Sequence, residues 1–451
     1  MADAARITAH LQQVASGPVQ RTAVVIVCSA LAGATARIDA LRADGAGDIL
    51  VLALGAGTGP LPEGDDVTCV ICPGPLITSI AEEIPLWQQF VDDPPAEARD
   101  ALAAFDPAGD ALVVCQLPVT LDSYAGRTTL GGRPPAYTAL EDKTLSAQLW
   151  HDAGVPHSPE AVVPVSRDAL LRTLSQLDQG HGTVWSADAS DGINGGADRV
   201  FWVRDEATAA TAYDALRGCA ERARLMPFLE GVPCSIHGIV LSDGVAVLRP
   251  VELVVLRRPG SAKFVYAGIS TGWDPAPSDR AAMRDGARAV GETLRARHGY
   301  RGAFGIDGVM TVDGFRPHEL NPRFTGGINA IAKGLPDLPL NRLHDLVLRG
   351  GDIGVSATDL EDVVLTAADE RRYGSAYVIT RAVRPIETTS EPVDGGTLEV
   401  GPHLAGGLVR YVPDLVRPGQ RLAPTAVEMF AAADQRWGTG LGPLSAAPDV
   451  R

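Results

Sequence analysis

Lysine is the scarce residue of this chain. Of 39 basic residues only Lys143, Lys263 and Lys333 are lysines; all the others are arginine. A Walker phosphate loop needs Gly-Lys-Ser/Thr after a glycine run, and the residues before the three lysines are Asp142, Ala262 and Ala332. A P-loop NTPase is therefore excluded. Positive charge is also in deficit, at 39 basic against 55 acidic residues and a net −16. An acidic chain with no clustered basic run is a poor candidate for nucleic acid or anionic lipid, which require concentrated positive charge. Six cysteines in 451 residues do not make a disulfide framework. No apolar run approaches membrane-spanning length, and the start MADAARITAHLQQ lacks the basic and apolar regions of a signal peptide. The expected setting is a reducing cytoplasm, away from any membrane. Cys69 and Cys72 form one Cys-x-x-Cys in VTCVICP, without a second pair or a nearby His, and are expected to be buried structural thiols.

What is present is an alternating α/β pattern long enough for about three domains. TAVVIVC, DILVLAL, VTCVIC and ALVVCQL are apolar runs suited to strands buried on both faces, with a helical stretch after the first. Residues 1–139 therefore read as an open α/β layer of Rossmann type. The loop Gly55-Ala56-Gly57-Thr58-Gly59-Pro60 fails the dinucleotide fingerprint, because Pro60 replaces the third Gly and no helix follows. In residues 140–228, EDKTLSAQLWHDAGVP reads as a helix capped by Asp142 or Thr144, with Leu145, Leu149 and Ala153 as its apolar stripe. Two strand-like runs then flank the Gly-rich segment 190–197. In residues 229–350, SIHGIVL and VAVLRPVELVVL read as antiparallel strands that continue from RLMPFLEG. A helix over 278–298 buries Met283, Ala287, Val290 and Leu294 and stops at Gly299. Residues 351–451 are a mixed β/α extension.

The most informative segment is a hairpin, AFGIDGVMTV and FRPHELNPR, turning at Asp313-Gly314. Strand period places Glu319, Asn321 and Arg323 on one face, and antiparallel pairing brings Asp307 towards it. Oxygen ligands from Asp, Glu and Asn suit Mg²⁺, which completes its shell with water and phosphate oxygens. Arg323 can hydrogen-bond a developing oxyanion. The same alternation also fits a solvated face of a half-exposed sheet.

HELNPRFTGG, preceded by GID twelve residues before the Glu, resembles the metal-binding hairpin of the ATP-grasp ligases. Other pieces fall in the same order. EDKTLSAQLWHDAGVP is similar to the family's Asp-Lys helix, which implies that Lys143 reaches the nucleotide phosphates. The Gly-rich segment, with Gly192, Gly195 and Gly196, takes the place of the mobile loop over those phosphates. LMPFLEG is similar to the interdomain strand, so Met226, Pro227, Phe228 and Leu229 would read adenine through their backbone. Lys263, in SAKFVYAG, resembles a second phosphate-facing Lys with a catalytic role. The run Leu140-Glu141-Asp142-Lys143 after an α/β layer looks closest to the peptide ligases of pheganomycin biosynthesis and their relatives, which join a guanidino-bearing acid to a peptide amine. The chain departs from the family at Trp185, where many relatives carry a Lys, and at Met226 and Pro233, where the family often has Glu. Glu230 is left as the substitute for the ribose.

The resemblance implies an ATP-grasp fold preceded by a Rossmann-like domain, and an ATP-dependent carboxylate–amine ligase. The γ-phosphoryl of ATP would activate a carboxylate as an acyl phosphate, and an amine would displace phosphate, leaving ADP. ATP and Mg²⁺ are the implied cofactors, with two ions expected and Mn²⁺ an alternative. Asp307, Glu319 and Asn321 would hold the ions and Arg323 the oxyanion. Arg257 and Arg258 would clamp an acid substrate, and Gly326-Gly327 would let substrate approach the backbone. The partners would be a small acid and an amino-acid or peptide amine, and a homo-oligomer is allowed. The alternatives are a nucleotide-binding regulator or pseudo-ligase, for which Trp185, Met226 and Pro233 argue, and a phosphoryl-transfer enzyme without ligation.

Overall fold

The computed structural model describes residues 2–75, 77, 80–190, 197 and 199–451. Its described strands form three sheets. The first comprises β1 (Val24–Ala30), β2 (Ile49–Gly55), β3 (Val67–Ile71), β4 (Leu112–Thr120), β5 (Ser123–Tyr124) and β6 (Arg127–Arg133), in the order 3-2-1-4-6-5. Strands 1–4 and 6 run parallel. The apolar runs are buried on both faces, as their lack of alternation requires. Val25 and Val27 join one core, and Val24, Ile26 and Cys28 the other. The cysteine expectation fails at one position. Cys72 is buried, but Cys69 is exposed, on β3, the edge strand of the sheet.

The second sheet holds β7 (Ala161–Pro164), β8 (Thr183–Ala187), β9 (Val200–Val203) and β10 (Arg222–Pro227), all antiparallel, in the order 7-10-8-9. The 140–156 helix is shorter than its periodicity suggests. A 3₁₀ turn, Lys143–Leu145, capped by the Asp142 side chain, precedes the α-helix Ser146–Asp152. The tighter turn changes the phase, so Trp150 is fully buried while Leu145 is 50% exposed.

The largest sheet gathers β11 (Val232–Val240), β12 (Val245–Val247), β13 (Val251–Arg257), β14 (Phe264–Ser270), β15 (Gly302–Thr311) and β16 (Gly314–Asn321), with β17 (Gly374–Thr380), β18 (Thr389–Val393), β19 (Gly396–His403), β20 (Gly406–Pro413) and β21 (Ser445–Ala446). Its main order is 16-15-11-13-14-17-20-19-18. Residues 351–451 thus extend the same sheet through the pairing of β17 with β14. β10 does not pair with β11, contrary to the run of antiparallel strands expected; the chain leaves one sheet for the other at Leu229–Gly231. At Gly231 (φ +144°) a Cβ would lie 2.0 Å from the Met310 carbonyl oxygen, so only glycine fits the crossing. The helix Pro277–His298 packs the expected Met283, Ala287, Val290 and Leu294 inward and ends at left-handed Gly299. No described helix is long and apolar enough to cross a membrane.

Candidate active site

The hairpin of β15 and β16 carries one feature invisible in its periodicity. From Thr311↔Gly314 to Gly308↔Pro317 the strands pair in one register, and from Asp307↔Glu319 to Gly305↔Asn321 in another. His318 is the extra, bulged residue. Without it, His318 would oppose Asp307 and Glu319 would turn to the opposite face. The bulge therefore makes Asp307 and Glu319 a direct cross-strand pair, with Asn321 next on the same face. Gly308 accommodates it, since a Cβ there would lie 2.4 Å from the Arg316 carbonyl oxygen. The turn itself is Val312-Asp313, one residue earlier than expected, with Gly314 at φ +96°.

Around this pair the side chains form one network. Lys143 Nζ donates to Glu319 Oε1 at 2.7 Å, and Asn321 Nδ2 to Asp307 Oδ2 at 3.0 Å. Arg323 donates from Nη2 to Asn321 Oδ1 at 2.8 Å and from Nε to Glu141 Oε1 at 2.6 Å. Arg133 donates to the other Glu141 oxygen at 2.8 Å. Arg224, 2% exposed, holds the bulged His318 carbonyl at 2.5 Å and the Lys143 carbonyl at 3.3 Å, fixing both partners of the Lys143–Glu319 contact. Burial and the Glu319 charge push the Asp307 carboxyl up to about 6. Burial also opposes charge on Glu319, but Lys143, with His318 and Arg224, holds it below the ordinary range. Burial opposes charge on Glu141 as well, yet the two guanidiniums hold it down at about 2.

All of these residues except Glu141 and Arg133 line a cavity of ≈ 490 Å³. Of the residues singled out from sequence, Lys143, Asp307, Glu319, Asn321, Arg323 and the Gly326-Gly327 pair line it. Met226, Pro227, Phe228 and Leu229 line its other side, and Arg257 reaches it too. Arg257, however, pairs with both oxygens of Glu230 at 2.6 and 3.1 Å and lies over the Phe228 and Trp202 rings. It braces the aromatic wall, and Glu230 is committed to it. Lys263 and Arg258 do not line the cavity. Lys263 Nζ stands 4.1 Å from the Phe201 ring centroid, and Arg258 bonds the Leu441 carbonyl. Gly192, Gly195 and Gly196 lie outside the described residues.

Trp185 is not the position a phosphate-facing Lys would occupy. It is 1% exposed, belongs to the core behind β8, and donates to Thr183 Oγ1 at 2.9 Å. Strand alternation turns Val184 and Ser186 to the cavity instead, and the buried Ser186 hydroxyl has no hydrogen-bond partner among the described residues. Sequence reasoning also missed Glu83, Glu141, Arg224, His237, Tyr266 and Tyr377. They converge from separate segments with no shared spacing, and Glu141, although part of the run 140–143, carried no role of its own in the sequence. Among the described residues no group of three or more His, Cys, Asp or Glu side chains is placed to hold an ion. Two facing carboxylates and an amide, raised in energy by mutual burial, suit an ion that keeps water and phosphate oxygens as its other ligands, as Mg²⁺ does.

No family model and no curated protein matches the chain. Among solved structures it is similar to a biotin carboxylase from Campylobacter jejuni in a β,γ-ATP complex, at 12% identity and TM-score 0.56 over 93% of this chain and 92% of that one. It is also similar to a carboxyaminoimidazole ribonucleotide synthase from Aspergillus clavatus complexed with ATP, at 12% identity and TM-score 0.54 over 92% and 98%. A third is the biotin carboxylase domain of Hydrogenobacter thermophilus 2-oxoglutarate carboxylase with MgADP and bicarbonate, at 14% and 0.54 over 95% and 92%. The three sheets, their order and these likenesses establish that this chain has the ATP-grasp fold, preceded by an N-terminal α/β domain.

Proposed function

We propose that this protein is an ATP-dependent carboxylate–amine ligase that forms an amide bond through an acyl phosphate. The observation that carries the reading is the cross-strand Asp307–Glu319 pair, set beside Asn321, Lys143 and Arg323 on one cavity wall. On this reading residues 140–228 form the nucleotide lobe and 229–350 the metal and substrate lobe. Asp307, Glu319 and Asn321 would hold Mg²⁺, which when bound neutralises phosphate charge and orients the γ-phosphoryl group. Lys143 exchanges Glu319 for a phosphate oxygen. The backbone of Met226–Leu229 and the Ser186 hydroxyl face the nucleotide. Arg323, locked by Glu141, holds the carboxylate oxygen as it is phosphorylated and again as the amine adds. The narrower reading, a modified amino acid joined to a peptide in natural-product biosynthesis, is supported by the resemblance of the 140–345 motifs to the pheganomycin-type ligases.

A second reading has its own observation. Lys263 rests over Phe201, and β8 offers a hydroxyl where an ammonium is usual, which would suit a nucleotide-binding regulator that does no chemistry. One experiment separates them: ADP release in ATP, Mg²⁺ and a panel of acids and amines, with product masses read. The ligase reading expects ADP formation dependent on both acid and amine, and its loss in Glu319→Gln. Near-normal ligation by that variant overturns the assignment. ADP formed with acid alone would mark phosphoryl transfer without ligation.

A further inference from the structure

The cavity runs past the reacting groups into an apolar chamber that the ligase reading leaves unused. On β13, β14, β17 and β20 one set of alternate residues, Val254, Ala267, Val378 and Val409, packs into the core beneath the helix Ala423–Trp437. Their neighbours turn to the opposite face, where Val255, Tyr266, Tyr377, Ile379 and Leu408 line the cavity. The N-terminal domain supplies the facing wall with Ile84 and Trp87, three residues apart on one side of the helix Ile80–Asp92. All of these side chains are half-buried, so the apolar surface they leave open belongs to the cavity. The chamber begins at the reacting groups. A Cβ at Gly326 would lie 2.9 Å from Ile269 Cδ1 and 3.5 Å from the Tyr266 hydroxyl. Burial, then Tyr377, raises that hydroxyl, and Asp307 and Arg323 act on it as well. Tyr377 meets Tyr266 edge to face at 6.0 Å and is itself raised by burial and, further along, by Glu83. The path therefore leads from Arg323 past the two tyrosines to Glu83.

The far end decides what such a chamber can hold. Glu83 is 6% exposed, and burial opposes its charge. His403 accepts the Ala405 N–H at Nδ1, 3.1 Å away, and burial favours its neutral ring. Its proton is then on Nε2, 3.9 Å from Glu83 Oε2. The end wall is thus a carboxyl beside a neutral imidazole. An acidic side chain would meet Glu83 away from bulk water, and a basic one would exchange its hydration for a single carboxyl that burial already disfavours as an ion. An apolar side chain gains by leaving water for the same walls. We propose that the acid substrate carries a large apolar or aromatic side chain, which lies across Tyr266 into this chamber while its carboxylate rests at Arg323. The proposal rests on the ligase reading, and it gives the N-terminal domain and the C-terminal strands β17 and β20 the task of choosing the acid.

The test uses the full chain with Mg²⁺ and alanine, leucine, phenylalanine, aspartate and lysine as acids. Binding of each is read by equilibrium dialysis with a non-hydrolysable ATP analogue, and turnover as acyl hydroxamate with ATP and hydroxylamine. Leucine and phenylalanine should bind at least about tenfold more tightly than alanine, the scale of one buried apolar side chain, and aspartate and lysine should bind more weakly than either. Two substitutions that fill the chamber, Ile84→Trp from the N-terminal domain and Leu408→Trp from β20, should each lower the phenylalanine-to-alanine affinity ratio about tenfold. A purely structural role would weaken both acids alike and leave that ratio unchanged. Phenylalanine bound no better than alanine overturns the proposal, as does tightest binding of aspartate or lysine, or a ratio that neither substitution moves. No hydroxamate from an acid that binds would instead overturn the ligase reading, with the chamber's preference still measured.

Discussion

Glu141 is the carboxylate on which the site's geometry most depends, and removing its charge has a calculable effect. It is buried between Arg133, at 2.8 Å, and Arg323, at 2.6 Å. Its fall from the ordinary 4.5 to about 2 corresponds to about 3 kcal/mol at ~1.4 kcal/mol per pH unit. The folded-state value is depressed, so this stability is present above 4.5 and is lost as pH falls towards 2. Glu141→Gln mimics the neutral acid and leaves two guanidiniums facing an amide. The variant should be about 3 kcal/mol less stable at pH 7, a gap that narrows to about 2 kcal/mol at pH 3.5. Urea unfolding of both proteins at the two pH values, followed by tryptophan fluorescence, measures it. A gap under about 1 kcal/mol at pH 7, or one that does not narrow on acidification, would refute the claim that the two arginines hold this charge. Because Glu141 also orients Arg323, the ligase reading expects turnover to fall with stability.

Two further predictions test the wall opposite. Trp185→Phe should cost about 1–3 kcal/mol through its lost hydrogen bond and core volume and leave the KM for ATP unchanged, whereas Ser186→Ala should raise that KM severalfold with little effect on unfolding. The reverse pattern would mean that β8 presents its other face. Glu83, which lines the same cavity, is pushed by burial up to about 7. Its folded-state value is raised, so the protein should lose stability as pH rises from 4.5 to 7. Glu83→Gln should flatten that slope in thermal unfolding at pH 5 and 8; an unaltered slope refutes it.

The chain's order of elements was legible because burial writes itself into composition. The unalternating runs of β1 and β2 required a sheet covered on both faces, and the 3.6-residue stripe of Pro277–His298 required one helix against a core. Glu319 and Asn321 were legible because period two gathers residues of one strand on one face, whereas Asp307 comes from the neighbouring strand and Arg323 lies past the end of β16. Periodicity fails where a single backbone irregularity resets the phase. The 3₁₀ turn at Lys143–Leu145 moved the buried position to Trp150, and strand alternation put Ser186, not Trp185, at the cavity.

The sequence by itself determined which residues the chain holds and in what order: no Walker loop, no clustered basic run, and Asp, Glu, Asn and Arg gathered in one hairpin segment. Lys143 stood out only through its resemblance to a phosphate-facing Lys, and the structure sets it on the Glu319 carboxylate. Only the tertiary structure decided which groups work together. The His318 bulge makes Asp307 and Glu319 a pair, Arg224 joins the Lys143 backbone to that bulge, and Arg257 is spent on Glu230 while Lys263 lies over Phe201. These outcomes depend on contacts between segments up to 182 residues apart, as in Glu141 and Arg323. Local spacing carries no information about such contacts, because packing of the whole sheet sets them.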